Sequence, residues 1–400
     1  LIRRDIILRK VLVYLLGVLS ISGIIFSCIY FLTASDKEGE TLKKDSDSSV
    51  RTARVVANGD ILIHDALYYT AKKEDGSYDF NPFFEYVKPW IEGADLAIGD
   101  FEGTISDRSP LGGYPLFNAP VQIADTMKEV GYDVVDLAHN HILDTGLYGL
   151  KYTDKVFKDR GLDTVGVHAD RKRSEDKILI KEVNGIKIAI LAYAYGYNGM
   201  DANLTAEDRT NHLSDLDEEK MKEEIQRAEN EADVTVVMPQ MGVEYKLEPT
   251  EEQKALYHKM IEWGADVVFG GHPHVIEPAE TVEKDGDKKF IIYSMGNFVS
   301  NQRMERMENK WPERGLLMDV TFEKANDKTT VKTVKAHPTL VYSKLNGRNI
   351  NGIPLYDYKI MVLEDFINGG KLRDKLDDKM KEKVDVSYKE IMEHVNLKWE

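Results

Sequence analysis

Short apolar runs alternate with amphipathic stretches through most of this chain. Arg54–Asn58, Asp95–Ile98, Asp133–Ala138, Asp163–Val167, Lys187–Tyr193, Val234–Met238, Asp266–Phe269 and Phe290–Tyr293 have strand length and are rich in β-branched and apolar residues. Between them, Phe83–Ile91, Val121–Val130, Leu147–Arg160, Asp217–Glu231 and Glu251–Trp263 read as helices. Val183-Asn184-Gly185-Ile186 predicts a hairpin turn between two strands. This alternation predicts an α/β domain with a mixed, mostly parallel central sheet. After Gln302 the pattern changes: residues 315–322 and 329–335 read as strands suited to a closing hairpin, and 371–395 as a Lys- and Glu-rich amphipathic helix with a solvated face.

The N-terminal pattern differs. Val11–Leu32 is 22 residues without a charge, about 33 Å of helix and enough to cross a bilayer core. Basic residues precede it and an acidic, Ser-rich stretch follows, so the positive-inside rule puts residues 1–10 in the cytoplasm and the main domain outside. The expected division is a cytoplasmic start (1–10), a transmembrane anchor (11–34), a linker (35–52), a main domain (53–345) and a helical C-terminal extension (346–400). A cleaved signal peptide is the alternative, but the run is long for one and lacks a small-x-small cleavage site. The single cysteine, Cys28, falls inside this run and reads as a membrane-buried apolar residue. Lipidation is its alternative, disfavoured by the bulk of Phe26. An exported domain without cysteine draws its stability from its core.

The net charge is −16; residues 1–34 carry +3, which leaves −19 on the rest. That balance excludes nucleic acid as a natural partner. It also makes the domain a poor general binder of polyanions, short of a local basic patch or a bridging cation.

Four clusters of metal-competent residues each follow an apolar run: Gly59-Asp60, Gly99-Asp100-Phe101-Glu102, His139-Asn140-His141 and Gly270-Gly271-His272-Pro273-His274. His272 and His274 are expected on one side of an extended backbone, aimed at one ion. Each cluster alone has a plainer reading: an Asx turn or cap at Asp60, an acidic surface turn at Asp100 and Glu102, a structural His-Asn pair at 139–140. Together, at the carboxyl ends of strands, they point to a single site built from separate loops. Paired carboxylates suit hard divalent ions. His141 or His139 could serve as a general acid, with Asp144 orienting a histidine or capping the next helix. Glu244 reads as a ligand, a proton carrier, a contact for a basic substrate or an ordinary loop carboxylate. His64 reads as a loop histidine, and Asn297 as site rim or plain turn.

The motifs Leu137-Ala138-His139-Asn140-His141-Ile142-Leu143-Asp144, Gly242-Val243-Glu244-Tyr245, Gly271-His272-Pro273-His274 and Tyr293-Ser294-Met295-Gly296-Asn297-Phe298, in this order, resemble the poly-γ-glutamate capsule biosynthesis proteins of the CapA type. The resemblance runs from about Arg54 to about Asn301. It implies a calcineurin-like metallophosphoesterase-type sandwich of mixed β-sheets flanked by helices. It implies a divalent metal, Mn, Mg or Zn, held by Asp60, Asp100 or Glu102, Asn140 and His272/His274. The expected catalytic residues are His141, His139 and Glu244, and the expected substrate contact is Asn297. The implied partners are the membrane, capsule synthase and export subunits, and an anionic polymer such as poly-γ-glutamate. Two departures stand out. Gln240 replaces a histidine that many relatives carry, and Leu62 stands where an Asp-x-His pair would place its histidine. Both favour one cation, or a reshaped site, over a full two-metal phosphoesterase centre. The implied role is synthesis or export of the polymer; a metal-dependent hydrolase of phosphoester or amide bonds is the alternative.

Overall fold

Residues 50–326, 328–350 and 352–399 are described by the computed structural model. The expected cytoplasmic start and membrane anchor, and most of the linker, lie outside them. Among the described residues no helix is long and apolar enough to cross a membrane. Among the described residues fourteen strands form two sheets. The first contains β1 (Arg51–Leu62), β2 (Leu96–Glu102), β3 (Val134–Asp136), β4 (Asp163–Val165), β11 (Asn297–Val299), β12 (Arg314–Ala325), β13 (Lys328–Ile350) and β14 (Ile353–Val362). Its order is β14-β13-β12-β1-β2-β3-β4, with β11 also on β1. The second contains β5 (Leu179–Val183), β6 (Ile186–Ala194), β7 (Val234–Gln240), β8 (Val267–Phe269), β9 (Ile276–Lys284) and β10 (Asp287–Met295), in the order β5-β6-β7-β8-β10-β9. The mixed, mostly parallel central sheet expected from the alternation is therefore two mixed sheets, in keeping with the sandwich that the resemblance implies. Periodicity marks a strand but does not say which sheet it joins.

The period of two along the buried strands builds the layers. In β7, Val234, Val236 and Met238 join the core shared with the first sheet, while Val237 packs with Val268 and Ile291 against Met221, Ile225, Tyr257 and Met260 of the covering helices. Strands buried on both faces explain the continuous apolar runs that marked them. The helix Glu251–Trp263 begins in a capping box between Thr250 and Gln253 and stops at Gly264. Asn184 and Gly185, both at positive φ, make the expected hairpin turn between β5 and β6.

Three other expectations change. Phe83–Ile91 is two short helices, Asn81–Phe84 and Lys88–Glu92, each with proline in its first turn, because proline starts a helix more readily than it continues one. The 346–400 stretch is helical only in part: β13 runs to Ile350, β14 follows, and the helix is Asp378–Val395. The alternating Tyr356, Tyr358, Ile360 and Val362 are a strand signal that pairs β14 with β13. That helix keeps an exposed face but buries Val384, Ile391 and Val395, and it is held to β12 by Arg314 through Ser387 and Glu390.

The third change concerns Gly59. The plainer reading of Asp60 as an Asx turn or cap puts a tight turn at this glycine. Instead β1 continues to Leu62, with a register shift against β2 between Asn58 and Asp60. A Cβ at Gly59 would lie 1.8 Å from the carbonyl oxygen of Gly296. Glycine is needed there because another backbone passes against it. Asp60 N donates to that same carbonyl at 3.1 Å, so this contact fixes the first carboxylate of the site.

On the far side of the first sheet, Asp319 of β12 accepts from Arg54 Nε at 3.0 Å and from His337 Nε2 at 3.4 Å, while His337 Nδ1 donates to Glu364 at 2.8 Å. Trp90 lies against the same imidazole, with ring centroids 4.7 Å apart. Burial opposes charge on His337, but the hydrogen bonds to Asp319 and Glu364 outweigh it and raise its pKa from 6.5 to about 9.

Two outcomes follow for stability. Because the folded pKa of His337 is raised, its contribution is complete below pH 6.5 and is lost as pH rises through about 9. Urea denaturation at the two ends of that window should show wild type losing more stability than His337→Gln; equal losses would reject the assignment. Gly59→Ala should destabilise by roughly 1–3 kcal/mol, whereas Gly196→Ala, with open space around it, should stay within about 0.5 kcal/mol of wild type. Indistinguishable unfolding midpoints for the two variants would contradict the close approach.

Candidate metal centre

Register places the acids. Asp60 on β1 pairs with Asp100 on β2, Asp100 with Asp136 on β3, and Asp60 on its other flank with Asn297 of β11. Residues at one level of adjacent strands share a face, and Glu102, two residues beyond Asp100, returns to the same face. Asp60, Asp100, Glu102 and Asp136 are all buried. Asp100 and Glu102 lie within β2 rather than in the turn after it, so the plainer reading of a surface turn does not hold.

The second sheet supplies the imidazoles. After β8 the chain passes Gly270, where a Cβ would lie 2.0 Å from the Tyr293 carbonyl oxygen, and Gly271, where one would lie 3.1 Å from Asp100 Oδ2 and 3.3 Å from Asp60 Oδ1. The first glycine is thus forced by close backbone approach, and at the second a side chain would crowd the carboxylates. His272 and His274 were expected on an extended backbone. They have φ of 97° and 59° instead, left-handed conformations that cost non-glycine residues roughly 1–2 kcal/mol each and gather at functional sites. The turn still brings the two rings to a 6.1 Å centroid separation. His274 Nδ1 lies 2.9 Å from Asp60 Oδ2, 3.1 Å from Asn297 Oδ1 and 3.7 Å from Glu102 Oε2.

The electrostatics are those of crowded acids. Burial, with the neighbouring charges of Asp136, Asp60 and Glu102, pushes the Asp100 carboxyl well above the usual range. Burial does the same for Asp136 and raises Glu102 to about 7. On His274 burial is outweighed by Glu102 and Asp60, which lift it to about 10. His272, with no carboxylate partner, is driven by burial to about 3 and keeps a neutral ring suited to ligation.

His141 Nδ1 is held at 2.7 Å by Asp144 Oδ2, which also accepts from Phe117 N at 2.6 Å. Burial works against charge on His141, but the Asp144 bond and the Glu102 charge prevail and raise it. Asn140 N donates to Gln240 Oε1 at 2.8 Å, joining the end of β3 to the end of β7 across the two sheets. His139 turns inward: it is fully buried, its ring nitrogens lie 3.3 Å from Gly103 N and 3.2 Å from His141 N, and burial holds it well below the usual range. Glu244 is exposed on its loop, and its charge still acts on Glu102 and His274. Leu62 is buried in the core. His64 accepts from Asn301 N at 3.3 Å and meets Phe117 edge-on, and Phe117 meets His141 in turn.

These residues fit a divalent cation. Asp60 Oδ1, Asp100 Oδ1, both oxygens of Glu102, Asn140 Oδ1 and His272 Nδ1 are buried without a hydrogen-bond partner, although buried polar atoms are nearly always satisfied. One donor atom each from Asp60, Glu102 and His274 falls within 4.8 Å of the others. All six are metal-donor types.

Sequence reasoning passed over Asp136, Tyr195 and Asn198. Asp136 carried a signal, an acid inside a buried apolar strand. Asn198, 3.4 Å from His141 Nδ1 and 3.3 Å from Asn140 Nδ2, looks in sequence like any turn asparagine. Tyr195 packs on His272 at a 4.4 Å centroid distance, a contact between distant segments that no local pattern encodes.

The chain is 29% identical over 282 residues to the PGA biosynthesis protein CapA of Bacillus subtilis, which spans 69% of this chain and 70% of that protein. It is 30% identical over 241 residues to the capsule biosynthesis protein CapA of Bacillus anthracis, covering 58% of this chain and 57% of that one. Among solved structures, a phosphatase from Mycoplasma pneumoniae aligns with a TM-score of 0.43 at 15% identity, over 72% of this chain and 94% of its own. The calcineurin-like phosphoesterase YfkN of Bacillus subtilis aligns at 0.41 and 16%, over 72% and 91%. Neither structural likeness carries the assignment, which rests on the sequence: residues 54–302 match the family described as bacterial capsule synthesis protein PGA_cap, the span that holds every proposed ligand, and the chain belongs to that family.

Proposed function

We propose that this protein acts in the synthesis or export of a poly-γ-glutamate-type capsule polymer, and that its work is done at the divalent-metal centre. One observation carries the reading: buried donor atoms of Asp60 and Glu102 on the first sheet and of His274 beside the second lie within 4.8 Å of one another, with Asp60 Oδ1 and both Glu102 oxygens lacking hydrogen-bond partners. The B. subtilis relative is named for PGA biosynthesis and the B. anthracis relative for capsule biosynthesis. Asp60, Asp100, Glu102, Asn140, His272 and His274 would hold the cation, of Mn, Mg or Zn type. When bound, it supplies a Lewis acid and lowers the pKa of water.

The rest belongs to the protein's own groups. His141, fixed through Nδ1 by Asp144, has Nε2 as the nitrogen left to pass a proton to a departing group. His139 positions His141 by accepting from its backbone N–H. Asn297, hydrogen-bonded to His274, Gln302 and the Pro312 carbonyl, holds the His274 ring rather than presenting itself to solvent. This dyad favours hydrolysis or transfer at a phosphoester or amide bond as the chemistry within the capsule role. Gln240 offers an amide where a histidine would ligate, and its Oε1 is already taken by Asn140 N, consistent with one cation rather than two. Val11–Leu32 would anchor the chain as a single span with the main domain outside the cell, near synthase and export subunits and the anionic polymer.

Purified protein is expected to carry about one divalent ion per chain, and Asp60→Ala/His272→Ala to carry almost none. Chelation should lower wild-type stability by roughly 3 kcal/mol for a site loaded at a hundredfold excess over Kd, with little effect on the double variant. A well-folded wild type without metal, unchanged by chelator, would sink the centre. His141→Asn should cut turnover of a generic phosphodiester or γ-glutamyl amide by about 10²–10⁴ with metal content intact. Unchanged turnover would remove His141 from proton transfer.

A further inference from the structure

Outside the metal ligands, a second group of reactive side chains meets where two loops cross. The segment after β4 and the segment after the helix Ala206–His212 pair through a bridge between Val167 and Leu213. His168 is held by its own backbone. Its N–H donates to the His212 carbonyl at 3.2 Å, and its carbonyl accepts from His212 Nδ1 at 2.6 Å. The Ser214 carbonyl accepts from Ala194 N, at the end of β6, at 2.8 Å. With both residues held, His168 Nε2 lies 3.0 Å from Ser214 Oγ. On the other side of the ring, Nδ1 lies 2.8 Å from Asp176 Oδ2. The second carboxylate oxygen, Asp176 Oδ1, accepts from Lys177 N at 3.0 Å.

A carboxylate, an imidazole and a hydroxyl in this order are the parts of an activated serine. With Nδ1–H given to the carboxylate, Nε2 remains as acceptor for the hydroxyl proton. The bond to His168 holds the Asp176 carboxyl below its usual range. A clamp between two loops would need these bonds but no space beside them. Here Ser214, His168 and Asp176 line one cavity of about 60 Å³. Ser214 is buried in it, while the His168 side chain is 16% exposed and gives a small ligand a way in. At about 10–15 Å³ per water, the cavity holds on the order of four water-sized groups, the size of an acetyl or propionyl group. Arg173 in its wall is fully engaged: Nε and Nη2 donate to Glu224 at 2.8 and 2.9 Å, and Nη1 to Asp215 at 2.7 Å. Arg227, also in the wall, makes a 3.3 Å bond from Nη2 to the Asp176 carbonyl. Its guanidinium gives the cavity a cationic side that favours charge developing on a carbonyl oxygen.

We infer that Ser214, His168 and Asp176 form a second reactive site, in which Ser214 is the nucleophile for short-chain acyl esters. Ser214 Oγ bonds to the acyl carbon while its proton passes to His168 Nε2. The ester C–O bond then breaks, and that proton leaves with the alcohol. Water attacks the acyl-serine next and gives a proton to Nε2. The bond to Oγ breaks, Nε2 returns the proton to Ser214, and the acid departs. Asp176 is a positioning residue, which keeps Nε2 turned toward the hydroxyl. The inference rests neither on the metal nor on the capsule reading.

Labelling of the full chain with methanesulfonyl fluoride, a reagent small enough for the cavity, tests the site. The serine oxygen displaces fluoride, so peptide mass spectrometry is expected to find the sulfonyl group on Ser214, and Ser214→Ala is expected to lose it. His168→Gln should slow labelling by about 10²–10⁴. Asp176→Glu, which keeps a carboxylate, should retain more of the rate than Asp176→Asn. p-Nitrophenyl acetate should be turned over with kcat/KM at least about tenfold above that of p-nitrophenyl octanoate, and Ser214→Ala should lose this turnover. Chelator should leave the labelling rate unchanged, which separates the site from the metal centre. A folded wild type that takes no label at Ser214 would overturn the inference without recourse to any variant. So would equal labelling in His168→Gln, equal acetate turnover in Ser214→Ala, or labelling abolished by chelator.

Discussion

Repulsion among buried acids organises this molecule. Asp60, Asp100 and Asp136 occupy one level of three adjacent parallel strands, and Glu102 joins them from the next. Registered strands cannot separate these groups without breaking ladder hydrogen bonds along their whole length. The strain therefore appears as carboxyls that burial and each other push upward. Only a positive charge at the same place relieves it. His274, charged by Glu102 and Asp60, provides part of that charge, and a divalent ion would provide the rest while displacing the proton.

The acids come from the first sheet and the histidines from the second. Their distance is thus set by the packing of the sheets, through Ile98, Val134, Val236, Val267 and Ile292 in one shared core. Two direct ties add to it. Asn140 N reaches Gln240 across the layers, and Gln240 bridges to Gly271 just before the histidine turn. A core change far from the metal ligands would thus alter the site by moving one sheet over the other.

What could be read in advance follows from the range of the forces involved. Strand and helix positions were legible because they follow local periodicity, and the helix Glu251–Trp263 was legible to the residue because Thr250, Gln253 and Gly264 mark its ends. The grouping of Asp60, Glu102 and His274 was legible because metal donors recur after buried runs. Periodicity alone did not show the division into two sheets, which depends on pairings between distant strands; it was legible only through the family resemblance, as a sandwich of mixed β-sheets. Nor was the left-handed turn at His272 and His274 legible, since no local pattern marks a positive φ at non-glycine residues. His139 and His141 are identical in type and two residues apart, and only the fold shows one turned into the core and the other held by Asp144.

The loop that ends at Phe117 divides its duties residue by residue. Phe117 is buried between two imidazoles and donates its backbone N–H to Asp144, so it is bound to the part of the protein that must not move. Tyr114 and Leu116, a few positions earlier, are exposed and carry no packing duty. Selection can therefore rewrite the outer positions freely while the inner one stays fixed. A fold arranged in this way can acquire new recognition without first having to survive a loss of stability.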